Sequence, residues 1–308
     1  MLSVALESRG HFVGSLMSHS SSDTSAAKPK SLFGYDLLQH IGDGAGSRIY
    51  AATKPGSGQV YALKHVVRTD DKAIRFVEQL ENEYNVGRHV RHPNLRGVID
   101  LHVHRSLMLR VTEAALVMEL VDGEPLDVRM PSRTSDLLGI FVKAAKALGA
   151  MHDANFVHCD FKPANILAGD AGGVRVIDLG QACPVGTAKE RIQGTPDYIA
   201  PEQVKLKPVT PQTDIYNFGA SMYWCLCGQK MPTLFTLQKG ENSFLVDTQL
   251  KTPAQINPQV PENLSSFVME CVRTTAAKRP ESMKTVVSRL EILQHTILKA
   301  ESAKQSVA

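Results

Sequence analysis

His158-Cys159-Asp160-Phe161-Lys162-Pro163-Ala164-Asn165 sets a carboxylate, an ammonium and a carboxamide at short, fixed spacing. Thirteen residues after Asn165, a mostly apolar run ending at Ile177 leads into a second carboxylate, in Asp178-Leu179-Gly180. Phosphoryl transfer from a nucleotide needs this set. One acid accepts the proton of an attacking hydroxyl, a cation neutralises the moving group, and an amide with a second acid holds divalent metal. A polar surface loop could carry the same residues, but chance would seldom follow them at this distance with an Asp-x-Gly closing an apolar strand.

Composition bounds what surrounds that stretch. The chain has 308 residues, 43% of them hydrophobic, enough for one large domain or two lobes with separate cores. A net charge of +3, from 34 basic and 31 acidic residues, gives no reason to expect nucleic-acid binding or strong membrane attraction. The cysteines, at 159, 183, 225, 227 and 271, make no Cys-x-x-Cys pair, so neither zinc spacing nor a secreted disulfide framework is suggested. A reducing, cytoplasmic setting is the expectation. No apolar run approaches the roughly 18 residues of a spanning helix. Residues 1–17 mix Glu7, Arg9 and His11 among apolar positions and make a poor secretion signal.

Residues 1–31 read as a tail, Ser-rich from 18 to 30, with little to bury. Segments 35–39, 48–52, 59–67 and 116–120 read as strands, with Gly56-Ser57-Gly58 turning between the second and third. Residues 70–89 read as a helix, with Ile74, Val77, Leu80 and Tyr84 at helical spacing. Helices dominate after Asp122: one N-capped by Ser135 and reaching Met151, one opening at Thr213 or Asp214, and closing helices over 261–272 and 281–298. Residues 299–308 are left as a C-terminal tail. There is no internal repeat.

Further stretches share the nucleotide theme. Ile41-Gly42-Asp43-Gly44-Ala45-Gly46-Ser47-Arg48-Ile49 lies between two strands, and its glycines suit close backbone approach to phosphates. A strand on both sides argues against a dinucleotide fold, whose glycine turn opens a helix. Tyr61-Ala62-Leu63-Lys64 follows, then Leu116-Val117-Met118-Glu119-Leu120-Val121-Asp122-Gly123, then Gly194-Thr195-Pro196-Asp197-Tyr198-Ile199-Ala200-Pro201-Glu202.

In this order the motifs resemble those of eukaryotic-like (Hanks-type) serine/threonine protein kinases, a family also found in bacteria, over residues 33–298. The resemblance implies an α+β, two-lobed fold. A mostly-β N-lobe would span about 33–119, a hinge about 119–123, and a mostly-α C-lobe about 124–298. It implies ATP with Mg²⁺ or Mn²⁺, and a protein substrate with a serine or threonine acceptor. Asp160 would be the base and Lys162 would meet the γ-phosphate; Lys64, paired with Glu83, would reach the α- and β-phosphates. Asn165 and Asp178 would hold metal. Ile41, Gly42, Gly44, Gly46, Ser47, Ile49, Ala62, Met118, Glu119, Val121 and Leu167 would surround the nucleotide. Thr195 would hydrogen-bond near Asp160 and Lys162, Glu202 would pair with Arg279, and Asp214 would hold the catalytic-loop backbone. A nucleotide-binding pseudokinase or scaffold is the alternative. A small-molecule kinase is disfavoured by the intact 194–202 platform.

Three departures from the family pattern stand out. Ser47 takes the place of the third glycine and Gly46 that of an aromatic tip, which implies less apolar shielding of the phosphates. Gly87, one turn after Glu83, replaces a large apolar residue, which implies a core gap and a loosely held helix. Cys159 and Cys183 stand where two basic residues would clamp an activation-loop phosphate. A phosphate on Thr187 or Thr195 would find neither partner, so activity without activation-loop phosphorylation (a non-RD kinase) is expected. The plain reading of the two thiols is that they fill space left by longer side chains. A redox pair is the alternative, and it requires Cβ atoms within about 4.5 Å.

Overall fold

The computed structural model describes residues 31–305 apart from 45, 72, 108–109 and 237–249. The expected tail at 1–31 lies outside these, save Ser31, which opens the short strand β1 (Ser31–Leu32). Strands β2 (Tyr35–Gly44), β3 (Ser47–Thr53), β4 (Val60–Val67), β5 (Val98–Arg105) and β6 (Val111–Glu119) complete a six-stranded antiparallel sheet in the order β1-β2-β3-β4-β6-β5. Alternation along β4 sends Ala62 and Val66 to one core and Leu63 to another on the opposite face. Sequence reading did not single out β5, whose polar Asp100, His102 and His104 place it at the sheet edge.

Helix α1 (Ile74–His89) packs Val77 and Leu80 against this sheet. It starts four residues later than expected because the Asp70 carboxylate instead accepts the Ala73 amide at 2.8 Å, ahead of the first turn. Its far end belongs to the other lobe: Val86, Val90 and Leu95 join the large C-lobe core. An isolated parallel bridge, Leu95 to Val176, fixes that attachment.

The expected gap at Gly87 is absent. A Cβ built on Gly87 would lie 2.7 Å from a Val98 methyl, so β5 already fills the space that a larger residue would occupy. The glycine is a packing requirement there rather than a defect.

The C-lobe begins with β7 (Glu124–Pro125) and α2 (Thr134–Asp153), whose buried face includes Leu138, Phe141 and Leu148. Short strands β8 (Phe156–Val157), β9 (Ile166–Ala168), β10 (Val174–Val176) and β11 (Cys183–Pro184) carry the loops between them. Among the described residues the remaining α-helices are α3 (Pro201–Val204), α4 (Pro211–Cys227), α5 (Pro253–Ile256), α6 (Glu262–Cys271) and α7 (Met283–Gln305). Helix α7 runs past 298 to Gln305, and the extension has a task. Glu301 accepts from the Ser135 amide and hydroxyl at 3.2 and 2.5 Å, so α2 is capped from α7 and Ser135 lies inside its first turn. No helix among the described residues is long and apolar enough to cross a membrane.

Glu202 and Arg279 form a two-pronged ion pair, at 2.7 and 3.0 Å, with the arginine side chain fully buried. Burial alone would raise the Glu202 carboxyl; the Arg279 hydrogen bond and charge outweigh it and leave the group below its ordinary value. A depressed carboxyl stabilises the fold above the ordinary glutamate value of about 4.3 and loses that contribution as pH falls below it.

Two outcomes follow from this packing. Glu202→Gln, by leaving Arg279 buried without its counter-charge, should cost about 3–5 kcal/mol at neutral pH. The parent should lose part of that advantage on acidification below about pH 4.3, narrowing the difference between the two denaturation midpoints. Gly87→Ala should lower stability by about 1–2 kcal/mol, because a Cβ only 2.7 Å from the Val98 methyl puts overpacking at about 2–3 kcal/mol, more than the roughly 1 kcal/mol gain in helix propensity. Adding Val98→Ala should recover much of this in urea titrations; a single mutant as stable as the parent would contradict the packing.

Candidate active site

Lys64 reaches from β4 to the interface of the lobes. Its Nζ lies 2.7 Å from Glu83 Oε2 of α1 and 3.1 Å from Asp178 Oδ1, just beyond β10. Glu83 is buried and also receives Arg96 at 3.3 Å. Burial would lower the Lys64 ammonium, but Glu83 and Asp178 together raise it above its ordinary value. Burial opposes ionisation at Asp178, yet the charge and hydrogen bond of Lys64, with His158 and Arg96, hold its carboxyl at about 2. At neutral pH the ammonium therefore sits between two carboxylates.

The segment 158–165 is shaped from below. Asp214, fully buried at the start of α4, accepts the His158 amide at 2.8 Å and the Cys159 amide at 2.9 Å, and bonds His152 at 2.8 Å. These bonds hold Cys159 in the left-handed region at φ 66°. The turn aims Asp160 into the cleft, and Thr195 donates to its Oδ1 at 2.7 Å. Lys162 donates to Asp160 Oδ2 at 3.1 Å and to Thr195 Oγ at 2.8 Å. Asn165 donates its amide to the Asp160 carbonyl at 2.8 Å, leaving its side-chain oxygen for another partner.

A cavity of about 1080 Å³ opens between the lobes, and Lys64, Asp160, Lys162, Asn165, Asp178 and Thr195 all line it. Ile41, Gly42, Gly44, Ile49, Val121 and Leu167 line it as well. Met118 and Ala62 are paired across β6 and β4 and lie buried in the sheet rather than at the cavity wall. Glu119 turns its carboxylate to Arg175 at 3.2 Å and commits its amide to the Gly97 carbonyl at 2.9 Å. Gly46 and Ser47 line a different cavity with Tyr50 and His65, on the sheet face opposite Ile49 and Lys64. Within the loop, Ala45 lies outside the described residues.

The apolar shielding missing from the loop comes from α1. A Cβ on Gly46, at φ 72°, would lie 2.4 Å from the Phe76 ring, and Phe76 lines the cleft. Sequence reading also missed Asn82. Its amide nitrogen lies 3.2, 3.1 and 2.8 Å from the carbonyls of Leu179, Gly180 and Ala182, which fastens α1 to the turn that follows Asp178. The signal available was weak: asparagine is a poor residue for a helix interior and needs a reason to be there. Gln203 is a third case, donating to the Cys159 carbonyl at 2.7 Å and accepting the Ala200 amide at 3.0 Å.

The sheet lobe, the helical lobe and a cleft holding these groups define the chain as a protein kinase domain. It matches that family's model over residues 35–295 and belongs to the family. It is 30% identical, over 84% of its length, to a probable serine/threonine-protein kinase of Corynebacterium efficiens, spanning 41% of that protein. Serine/threonine-protein kinase PknA of Mycobacterium tuberculosis is 30% identical over 80% of this chain and 57% of its own. Calcium/calmodulin-dependent protein kinase type 1 of Caenorhabditis elegans is 33% identical over 63% of this chain and 56% of its own. The chain thus spans about half the length of these relatives.

Asn82→Ala should free the turn after Asp178 from α1. Misplacement of catalytic groups by about 1 Å can cost about a hundredfold. We expect kcat to fall by about tenfold or more, with nucleotide affinity measured by calorimetry little changed. An unaltered kcat would show that this tether does not position the turn after Asp178.

Proposed function

We propose that this domain transfers the γ-phosphoryl group of ATP to a serine or threonine hydroxyl of a protein. The observation that carries the reading is the convergence of Lys64, Asp160, Lys162, Asn165 and Asp178 on one cavity. Lys64 binds the α- and β-phosphates, fixed in direction by Glu83. Asp160 orients the acceptor hydroxyl and takes its proton. Lys162 meets charge developing on the transferred group, while Thr195 keeps Lys162 and Asp160 in register.

The donor set fits Mg²⁺ or Mn²⁺. Asp178, its side chain 41% exposed, and the spare oxygen of Asn165 offer hard oxygen ligands on the cleft side. Magnesium commonly takes one or two protein ligands and leaves the rest to phosphate and water. When bound, the metal neutralises phosphate charge and orients the leaving group.

The adenine ring is met by the Val121 backbone at the hinge, with Ile41, Ile49 and Leu167 as the apolar lining around it. Transfer proceeds without activation-loop phosphorylation. This rests on Cys159 and Cys183, which pack with Val157 and Val209 in an apolar cluster where a phosphate would find no cation of theirs. The scaffold alternative drew on Ser47, Gly87 and Cys159, none of which removes a charged group from the cleft.

Asp160→Asn should cut kcat by orders of magnitude and leave ATP affinity nearly intact. Chain dephosphorylated with a phosphatase, and the Thr187→Val variant, should keep most of the parent's initial rate on a protein substrate. Mass-spectrometric mapping should find phosphate on serine or threonine. Equal turnover by Asp160→Asn would remove it as base, and a rate abolished by dephosphorylation would refute independence from the loop.

A further inference from the structure

Two thiols lie in van der Waals contact directly behind the catalytic loop. Cys159 Sγ and Cys183 Sγ are 3.7 Å apart, both residues are buried, and all five cysteines are free. Cys159 immediately precedes Asp160, and Cys183 opens β11, which pairs with β8 through Val157. We propose that this pair is an oxidation site, at which hydrogen peroxide produces a Cys159–Cys183 disulfide that joins the catalytic loop to the activation segment.

The geometry separates a nucleophile from a resolving thiol. Cys183 retains slight exposure at 7%, while Cys159 is at 1%. A hydrogen bond from Cys159 lowers the Cys183 thiol against the effect of burial, and the nearby Lys189 ammonium helps, bringing it to about 7. The same hydrogen bond, with burial and the Asp214 carboxylate, pushes Cys159 up. Burial raises the other three cysteines too, Cys227 to about 11 and Cys225 and Cys271 further. Reactivity toward peroxide follows thiolate character and exposure; Cys225 and Cys227 are more exposed but stay protonated, so oxidation should begin at Cys183.

The chemistry balances with one peroxide. The Cys183 thiolate attacks one peroxide oxygen and the O–O bond breaks. Hydroxide leaves and takes up the proton that Cys183 had lost, giving water and a sulfenic acid. The Cys159 sulfur then attacks the Cys183 sulfur, the S–O bond breaks, and the departing hydroxide leaves as water with the Cys159 proton. The two sulfurs lose two electrons, and one peroxide becomes two waters.

Closing the bond shortens the sulfur separation from 3.7 Å to about 2.05 Å. Cys159 cannot freely follow, because Asp214 holds its amide at 2.9 Å and Gln203 its carbonyl at 2.7 Å. The strain therefore falls on the backbone next to Asp160 and on the activation segment. Lys64 and its two carboxylates lie apart from this linkage, so transfer should slow while nucleotide binding persists.

The full chain is treated with hydrogen peroxide, alkylated, and digested without reductant. The expected product is a peptide joining Cys159 to Cys183, with five titratable thiols falling to three. Dithiothreitol should reverse it. Cys159→Ser, which can still donate to Cys183 but cannot form the disulfide, should stop at a sulfenic acid on Cys183 that dimedone traps. Peroxide that modifies other cysteines first, or takes Cys183 to sulfinic acid with no cross-link, overturns the proposal. The peptide map of the parent chain decides this even if the variant fails to fold, and it needs no kinase activity. In the cross-linked protein kcat should fall by about tenfold or more, as for a displaced catalytic group, with ATP affinity kept. Full kcat in that form would overturn the link between oxidation and transfer.

Discussion

An ammonium held between carboxylates from two lobes is the constraint on which the cleft depends. Lys64 belongs to the sheet, Glu83 to the helix packed on it, and Asp178 to the opposite lobe. Burying these charges is costly, and only close pairing offsets that cost. The pairing is tight enough to hold the part-exposed Asp178 carboxyl at about 2. Its consequence is geometric: the sheet, α1 and the turn at Asp178 must keep one relative placement for the charges to be satisfied. Asn82 reinforces that placement with neutral bonds to the same turn. Arg96 supplies Glu83 with a second cation, so that the glutamate does not depend on Lys64 alone.

The opposite wall is built on a different principle. Asp214 is fully buried and answers two backbone amides and a histidine. It fixes main chain, and Asp160 inherits its direction from that main chain. Gln203 links the same stretch to the platform around Gln193 and Ala200. Thr195 closes the circuit by donating to Asp160 itself. The platform that would receive a peptide is thereby in register with the group that would act on its hydroxyl.

Much of this was legible because the chemistry is local. Asp160, Lys162 and Asn165 fall within one turn of chain, and the strand before Asp178 announces it. Glu83 was reachable through the resemblance, which pairs a helix carboxylate with Lys64. Positions whose role depends on a distant partner were not. Asn82 and Gln203 read as ordinary polar residues because nothing in the sequence names the carbonyls they meet. Glu301 fell in a supposed tail, since its purpose is the first turn of α2, far away in the chain. Strand β5 was overlooked because edge strands tolerate polar residues that blur alternation.

The misread glycines make the same point in reverse. A missing side chain looks like a weakness when judged against a family pattern, but space in a packed interior is shared among neighbours. At Gly87 the space belongs to Val98, and at Gly46 to Phe76. Cys159 and Cys183 extend the argument to charge. A buried arginine at either place would require a counter-charge, and a phosphate could supply one. Two thiols packed with Val157 and Val209 require none. The loop's support comes from Asp214 and Gln203, groups already present in the unmodified chain, and the proposed independence from an added phosphate rests on them. The exchange of cations for thiols also replaces one kind of chemical sensitivity with another, since sulfur in contact with sulfur responds to electrons rather than to charge.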